Sequence, residues 1–142
     1  MSPDPPGAGT APGALERVIG AFLVGVATVL VTLAEGFLVG LRVGTVRVPV
    51  SIAGALVLHP LFTLLMRAAT RSNVAMFGPA VIWALTVWPL TARRAEGDLI
   101  ITGDGWNIGW LLSGAAAFAV TLGLLLPSAP AARGSLGGNG PG

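Results

Sequence analysis

Glu35, His59 and Arg42 are the residues whose side chains could do chemistry in a sequence that is otherwise largely apolar. Glu35 is the single charged residue of the stretch TVLVTLAEGFLVG, and His59 precedes Pro60 in the next apolar run. Arg42 follows Glu35 by seven residues, so the two share one face of a helix. Because ionisable groups inside a membrane are often functional, these three residues form a candidate intramembrane polar site.

Glu35 has two interpretations. It is either a titrating carboxylate in a transport or proton pathway, or an uncharged or Arg42-paired carboxyl group that fixes helix packing. A pathway normally needs more than one polar group per helix, and this sequence has very few, which favours the packing role.

His59 also has two interpretations, because Pro60 cannot donate a hydrogen bond to the carbonyl of Leu56. His59 either packs beside the kink that Pro60 causes or acts as a proton relay, and the packing role is favoured. In an antiparallel helix pair, Glu35 and His59 differ in axial position by roughly 7 Å. A direct or water-bridged contact between them is therefore within reach.

Small and hydroxyl residues share the helical face of Glu35 and let neighbouring helices approach closely in lipid. The predicted packing residues are Ala21, Gly25, Thr28 and Thr32, with Gly36 and Gly40 as a second pair beside them. Ala115, Ala119 and Gly123 repeat this spacing near the end of the chain. Trp83 is predicted to fill the core.

The elements that must position these residues are apolar helices. Of 142 residues, 54% are hydrophobic and 10% charged, whereas a soluble domain has about 25% charged residues. Helices are the only structures that runs of about 20 apolar residues form in a bilayer. The sequence predicts an all-α membrane protein, a bundle of four transmembrane helices at 18–41, 48–66, 73–91 and 106–126. The transmembrane domain spans 17–127, between disordered tails at 1–16 and 128–142 that are rich in Pro, Gly and Ala.

The first and third loops lie on the same side of this bundle, and each can form a short extended or hairpin segment. In one interpretation they form a cap, in which Arg42 and Arg47 contact Glu96 or Asp98. In the other they are two solvated loops. Asp104 is a candidate N-cap of the last helix. Trp88, Trp106 and Trp110 are predicted to form an interfacial aromatic belt.

Arginines are almost equally distributed between the two sides of the bundle, so the positive-inside rule decides little. The acidic third loop favours an outside position for that loop, which predicts a cytoplasmic-membrane protein with both termini in the cytoplasm. The expected partners are the lipid bilayer and further copies of the chain or a larger membrane complex. The high pI of 11.2 does not indicate nucleic-acid binding, since the net charge is only +2.

The sequence contains no set of residues that indicates an enzyme. It has no cysteine, no nucleophile with a base and an orienting residue, and no glycine loop that would bind phosphate. A single histidine without Cys or carboxylate at ligand spacing does not predict a metal site. We therefore expect no catalytic residues, no cofactor and no metal.

Two family resemblances follow from short motifs. Over about residues 18–126, the chain resembles uncharacterised four-span membrane proteins of actinobacteria. The motifs that carry this resemblance are the pair Glu35-Gly36, Pro49 and the EGDLII run at 96–101. This resemblance implies a topology and no activity. The chain is also similar to small multidrug resistance transporters, in the pair Ala34-Glu35 and in Trp83. This similarity implies a glutamate that binds protons and substrate in turn within a dimer.

The sequence therefore leaves two functions open. The first is a small structural or accessory membrane subunit, which the scarcity of polar residues favours. The alternative is a dimeric proton-coupled transporter of small molecules that uses Glu35.

Overall fold

The computed structural model describes residues 13–91 and 104–126, most of which are helical. The elements are α1 (Ala14–Leu38), β1 (Arg42–Val43), β2 (Val46–Arg47), α2 (Val50–Thr70), a 3₁₀ turn (Ala75–Phe77), α3 (Gly78–Thr91) and α4 (Gly105–Leu125). Residues 1–12 of the first predicted tail, the whole predicted tail at 128–142 and residues 92–103 of the third loop lie outside the described residues.

Three of the four helices are long and apolar enough to cross a membrane. Helix α1 has 25 residues, and α2 and α4 have 21 each, which corresponds to roughly 32 to 38 Å at ~1.5 Å per residue. The hydrocarbon core of a bilayer is about 30 Å thick. The prediction of a helical fold with membrane-type helices is therefore confirmed for α1, α2 and α4, by their length and composition.

Helix α3 is shorter than predicted. The 19-residue span expected at 73–91 contains a helix of only 14 residues, Gly78–Thr91, or roughly 21 Å. Pro79 has no N–H, so no i to i−4 bond from position 79 reaches the carbonyl of Ala75. That carbonyl instead accepts the N–H of Gly78, which is a 3₁₀ bond. The left-handed conformation of Arg71 (φ 53°) ends α2 just before this turn.

The ends of α1 also differ from the prediction. The helix begins at Ala14, inside the predicted tail, because Gly13 and Glu16 form a capping pair in which the Gly13 N–H donates to Glu16 Oε2 at 3.0 Å. It ends at Leu38 instead of residue 41, because the chain there turns into the first loop.

The first loop forms the short hairpin that its sequence allows. In the antiparallel pair, Arg42 lies opposite Arg47 and Val43 opposite Val46. Gly44 has a φ of +64°, a value that a residue with a side chain rarely adopts. This glycine makes the two-residue connection feasible, and the hairpin returns the chain so that α2 runs antiparallel to α1.

Helix α2 is central to the bundle, since it packs against α1 and α4 and also contacts α3, while α1 packs against α3. The main apolar cluster lies at the hairpin end of the bundle. Its buried members are Val39, Ala55, Val87, Leu90 and Trp110.

The small-residue face of α1 lies partly in these contacts. Thr28 and Thr32 are fully buried, and their hydroxyls donate to the carbonyls of Val24 and Thr28 at 2.8 and 2.7 Å. A Cβ at Gly25 would lie 3.3 Å from Ile82 of α3. Close contact between α1 and α3 therefore depends on this glycine.

Three predicted packing residues differ in how much they are covered. Ala21 is partly buried and Gly36 is buried. Gly40 lies in an exposed turn after α1, and nothing lies within 4 Å of the position of a Cβ there. Gly40 therefore takes no part in helix packing, because α1 has already ended.

The small residues of α4 face away from the bundle. Ala115, Ala119 and Gly123 are exposed, whereas the buried face of α4 consists of Asn107, Trp110, Gly114, Ala117 and Phe118. The spacing of small residues in this helix does not mark its contact with α2.

Candidate functional site

Glu35 lies close to the end of α1, and its carboxyl group is buried between three helices. The residue is 4% exposed. Its Oε2 accepts a hydrogen bond from Trp110 Nε1 of α4 at 3.1 Å and lies 3.2 Å from His59 Nε2 of α2. One carboxylate oxygen therefore contacts both of the other helices.

Side-chain direction explains why Glu35 and His59 meet despite their different axial positions. Side chains on a helix lean towards its N-terminus. In the antiparallel pair, Glu35 therefore leans from the hairpin end towards the middle of the bundle, and His59 leans from the middle towards the hairpin end. The two side chains approach each other and close the offset expected from their Cα positions.

The first turn of α2 aligns this pair. Ser51 Oγ donates a hydrogen bond of 2.7 Å to the backbone carbonyl of Glu35, which fixes the start of α2 against the end of α1. A Cβ at Gly54 would lie 3.1 Å from Glu35 Oε1. A larger residue at position 54 would push the carboxyl group out of its place.

Aromatic rings enclose the imidazole of His59, which is fully buried. The ring stacks on Phe118 with a centroid distance of 4.5 Å and an interplanar angle of 11°. Trp83 meets it edge-on at 5.8 Å. Gly114 makes this arrangement feasible, because a Cβ there would lie 3.0 Å from His59 Cε1 and 2.9 Å from Trp83 Cζ2.

The contact between Glu35 and His59 is close, but it is not an aligned hydrogen bond. The 3.2 Å distance lacks hydrogen-bond geometry, since His59 Nε2 has no hydrogen-bond partner. Glu35 Oε1, His59 Nδ1 and Trp83 Nε1 are likewise buried without a hydrogen-bond partner among the described residues. Polar atoms in this state are costly in a low-dielectric interior. A carboxyl and an imidazole at this distance can exchange a proton through a small change in side-chain geometry.

Arg42 does not join this cluster. It lies in β1, outside the helices, and is exposed, and among the described residues it forms no ion pair with Glu35. The candidate site therefore consists of Glu35 and His59 from the predicted set, without Arg42.

The charged contact at the hairpin end is between Arg47 and Asp104. Arg47 Nη1 donates to Asp104 Oδ2 at 3.0 Å. Asp104 Oδ1 accepts the Asn107 backbone N–H at 2.9 Å, which confirms Asp104 as the N-cap of α4. The Asn107 N–H and the Arg47 guanidinium hold the pKa of Asp104 below its ordinary value. The other predicted partners of Arg47, Glu96 and Asp98, lie outside the described residues.

Trp110 is the site residue that sequence reasoning missed. It was expected in an interfacial belt, but it is fully buried and donates to Glu35. A usable signal was present, because Asn107, Trp110, Gly114 and Phe118 are spaced three and four residues apart on one helical face. Ser51 and Gly54 were also missed, and no sequence pattern distinguishes them from other small residues.

The described residues contain no group of three His, Cys, Asp or Glu side chains that could hold a metal ion. Fold and site together define a helical protein with three helices long and apolar enough to cross a membrane and a carboxyl, an imidazole and an indole buried between them. No protein family, no curated protein and no solved structure matches this chain.

Proposed function

We propose that this chain is a small integral protein of the cytoplasmic membrane with a structural or accessory role, in which Glu35 locks the helices together. The observation that carries this proposal is the contact of a single carboxylate oxygen with groups from two other helices, at 3.1 Å and 3.2 Å. A carboxyl group that contacts two other helices fixes their relative rotation and register. Slippage of α1 or α4 would break the hydrogen bond from Trp110 to Glu35 and leave both groups unpaired in the bundle.

The close packing around the cluster supports this role. Glycine backbones lie against both ionisable side chains: position 54 against the carboxyl group and position 114 against the imidazole. Phe118 covers one face of His59. Side chains that are held on several sides suit a fixed connection better than the binding and release of a substrate.

The membrane location rests on the length of α1, α2 and α4. We place both termini in the cytoplasm, because the third loop is the most acidic one and positive charge is retained on the cytoplasmic side. The resemblance to four-span membrane proteins of actinobacteria remains a hypothesis on topology. We further propose that the protein associates with further copies of itself or with a larger membrane complex.

One observation favours the second candidate, a dimeric proton-coupled transporter. Among residues 13–91 and 104–126, Glu35 Oε1 and His59 Nδ1 have no hydrogen-bond partner, so each atom of the pair could gain or lose a proton without breaking a bond described there. Intramembrane groups of this kind occur in proton relays. In that case Glu35 would titrate as part of a transport cycle.

Glu35→Gln separates the two candidates, because it keeps the shape of the side chain and removes its ability to titrate. The purified protein and its variants are reconstituted in vesicles that contain a pH-sensitive dye, and the rate at which an imposed pH gradient decays is measured beside the stability of the fold. Glu16→Gln is the matched control, since it makes the same change at an exposed position of α1.

A structural role predicts that no vesicle preparation passes protons faster than empty vesicles, and that Glu35→Gln is less stable than Glu16→Gln. Transport predicts a proton flux in the wild type that Glu35→Gln abolishes while the fold stays intact. The second result would overturn the structural proposal.

A further inference from the structure

The hairpin between α1 and α2 has one cationic and one apolar face. Successive residues of a strand point to opposite sides, so the cross-strand pair Arg42 and Arg47 lies on one face and the pair Val43 and Val46 on the other. Both valines are largely exposed, at 67% and 65%. An element with these two faces is suited to the boundary between headgroups and acyl chains.

The position of the hairpin places it at that boundary. Arg42 follows the last residue of α1, Leu38, by four positions, which is at most about 14 Å of chain. The backbone turns back within this distance, since Leu41 N donates to the Leu38 carbonyl at 3.0 Å and Val48 N to the Leu41 carbonyl at 3.2 Å. A hairpin held this close to the end of a spanning helix lies in the polar layer of the bilayer, which is some 5 to 8 Å deep on each side.

The two arginines are an unfavourable pair unless an anion joins them. Like charges directly opposite each other destabilise a strand pair. Arg47 uses Nη1 for Asp104 at 3.0 Å, while Arg42 contacts no carboxylate among the described residues. A guanidinium has five N–H donors, so Arg47 can bind a second acceptor while it keeps Asp104.

A cavity of about 270 Å³ lies beside Arg47, and Arg47, Asp104 and Asn107 line its polar side. Arg42 does not line this cavity itself but lies opposite Arg47 in the hairpin. Phe37 and Gly40, both exposed, line it on the side of α1. The volume exceeds that of several water molecules at ~30 Å³ each, so a phosphate group fits. The carboxylate of Asp104 already accepts hydrogen bonds from Arg47 and Asn107, which reduces its repulsion of an anion.

We propose that Arg42 and Arg47 bind the phosphate of an anionic phospholipid, while Val43 and Val46 on the opposite face enter the acyl boundary. Arginine suits this ligand, because its planar guanidinium can donate two parallel hydrogen bonds to phosphate oxygens. The arrangement holds the α1–α2 end of the bundle at a fixed depth. This inference rests on the proposed membrane location, but it does not depend on the role of Glu35.

The test of the arginine face is lipid binding to the full chain. The protein in detergent is mixed with equal amounts of phosphatidylglycerol and phosphatidylcholine, and bound lipids are counted by native mass spectrometry. Arg42→Gln should reduce the preference for phosphatidylglycerol about fivefold, the factor that corresponds to ~1 kcal/mol per basic residue near a membrane surface. Arg42→Lys should keep most of it.

Arg71→Gln is the matched control, because it removes the same charge from an exposed residue at the other end of α2. Equal preference in Arg42→Gln and Arg71→Gln would overturn the proposal. Displacement of the lipid by millimolar inorganic phosphate would also overturn it, since it would assign the site to a small free anion.

The valine face is tested separately with spin labels. Because the chain has no cysteine, a label attaches only at the cysteine that a substitution introduces. A nitroxide attached to Val46→Cys should be more accessible to oxygen than to a water-soluble nickel complex, whereas the label on Thr45→Cys in the turn should show the reverse. Water-like accessibility at both positions would exclude the insertion of this face into lipid.

Discussion

Replacement of Gly114 by alanine tests whether the packing around His59 is as close as described. The added Cβ would lie 2.9 Å from Trp83 Cζ2 and 3.0 Å from His59 Cε1, whereas carbon atoms in favourable contact are about 3.5 to 4.0 Å apart. Neither ring can move away without loss. His59 stacks on Phe118 at 4.5 Å and lies 3.2 Å from Glu35, and Trp83 packs against the same Phe118 ring at 5.9 Å.

The expected magnitude has two parts of opposite sign. An extra methyl group in a filled core costs about 1 to 3 kcal/mol. Alanine is favoured over glycine within a helix by about 1 kcal/mol. The free energy of unfolding of Gly114→Ala should therefore lie between that of the wild type and roughly 2 kcal/mol below it.

Gly123→Ala is the control that removes the helix-propensity term. Gly123 lies in the same helix, and nothing lies within 4 Å of the position of its Cβ, so the substitution should leave stability unchanged or raise it by up to ~1 kcal/mol. The difference between the two variants then reports the steric contact alone, and we expect about 1 to 3 kcal/mol.

The measurement is unfolding in mixed micelles with increasing sodium dodecyl sulfate, followed by circular dichroism and tryptophan fluorescence. If Gly114→Ala and Gly123→Ala unfold within ~0.5 kcal/mol of each other, a difference usual for substitutions without consequence, the described contact of Gly114 with Trp83 and His59 is wrong.

Two further predictions concern the N-terminal part of α4. Trp110→Phe removes the N–H that donates to Glu35 and should lower the free energy of unfolding by about 1 kcal/mol. Trp88→Phe, at an exposed position, should change the free energy of unfolding little. Equal effects of the two substitutions would count against the hydrogen bond. The pKa of Asp104 is held below its ordinary value by the Asn107 N–H and by Arg47. The ionised carboxylate therefore stabilises the fold at neutral pH, and this stabilisation is lost as the pH falls below about 4 and through the lowered pKa. Stability should fall less steeply on acidification in Asp104→Asn than in the wild type, and parallel pH profiles would contradict this.

The sequence predicted those parts of the fold that depend on local chemistry. Apolar runs of sufficient length gave the three long helices, Asp104 marked the start of α4, and the residue pattern of the first loop allowed a short hairpin. The length of α3 was overestimated because hydropathy does not register hydrogen bonding. Pro79 is apolar, yet its missing N–H changes the backbone around Ala75.

The site was predicted only in part, because its contacts depend on which helix faces meet. Glu35 and His59 could be identified as unusual residues in apolar runs, and their approach was within reach of helix geometry. The choice of Trp110 over Arg42 as the donor to Glu35 depends on the rotation of α4 about its axis and on where α1 ends. Neither quantity can be read from local sequence.

The short α3 has a consequence for the lipid around it. Together with its 3₁₀ turn, α3 forms an apolar helical segment at Ala75–Thr91 of roughly 27 Å. Its neighbours measure roughly 32 Å or more, which leaves a hydrophobic mismatch on one flank of the protein. In the proposed membrane location, lipids on that flank would thin, or the polar residues Ser72 and Asn73 before the 3₁₀ turn would be drawn below the headgroups. Membranes of different thickness should therefore sort or tilt this protein according to its shortest helix, and the asymmetry would give the bundle a preferred side for neighbours that relieve the thinning.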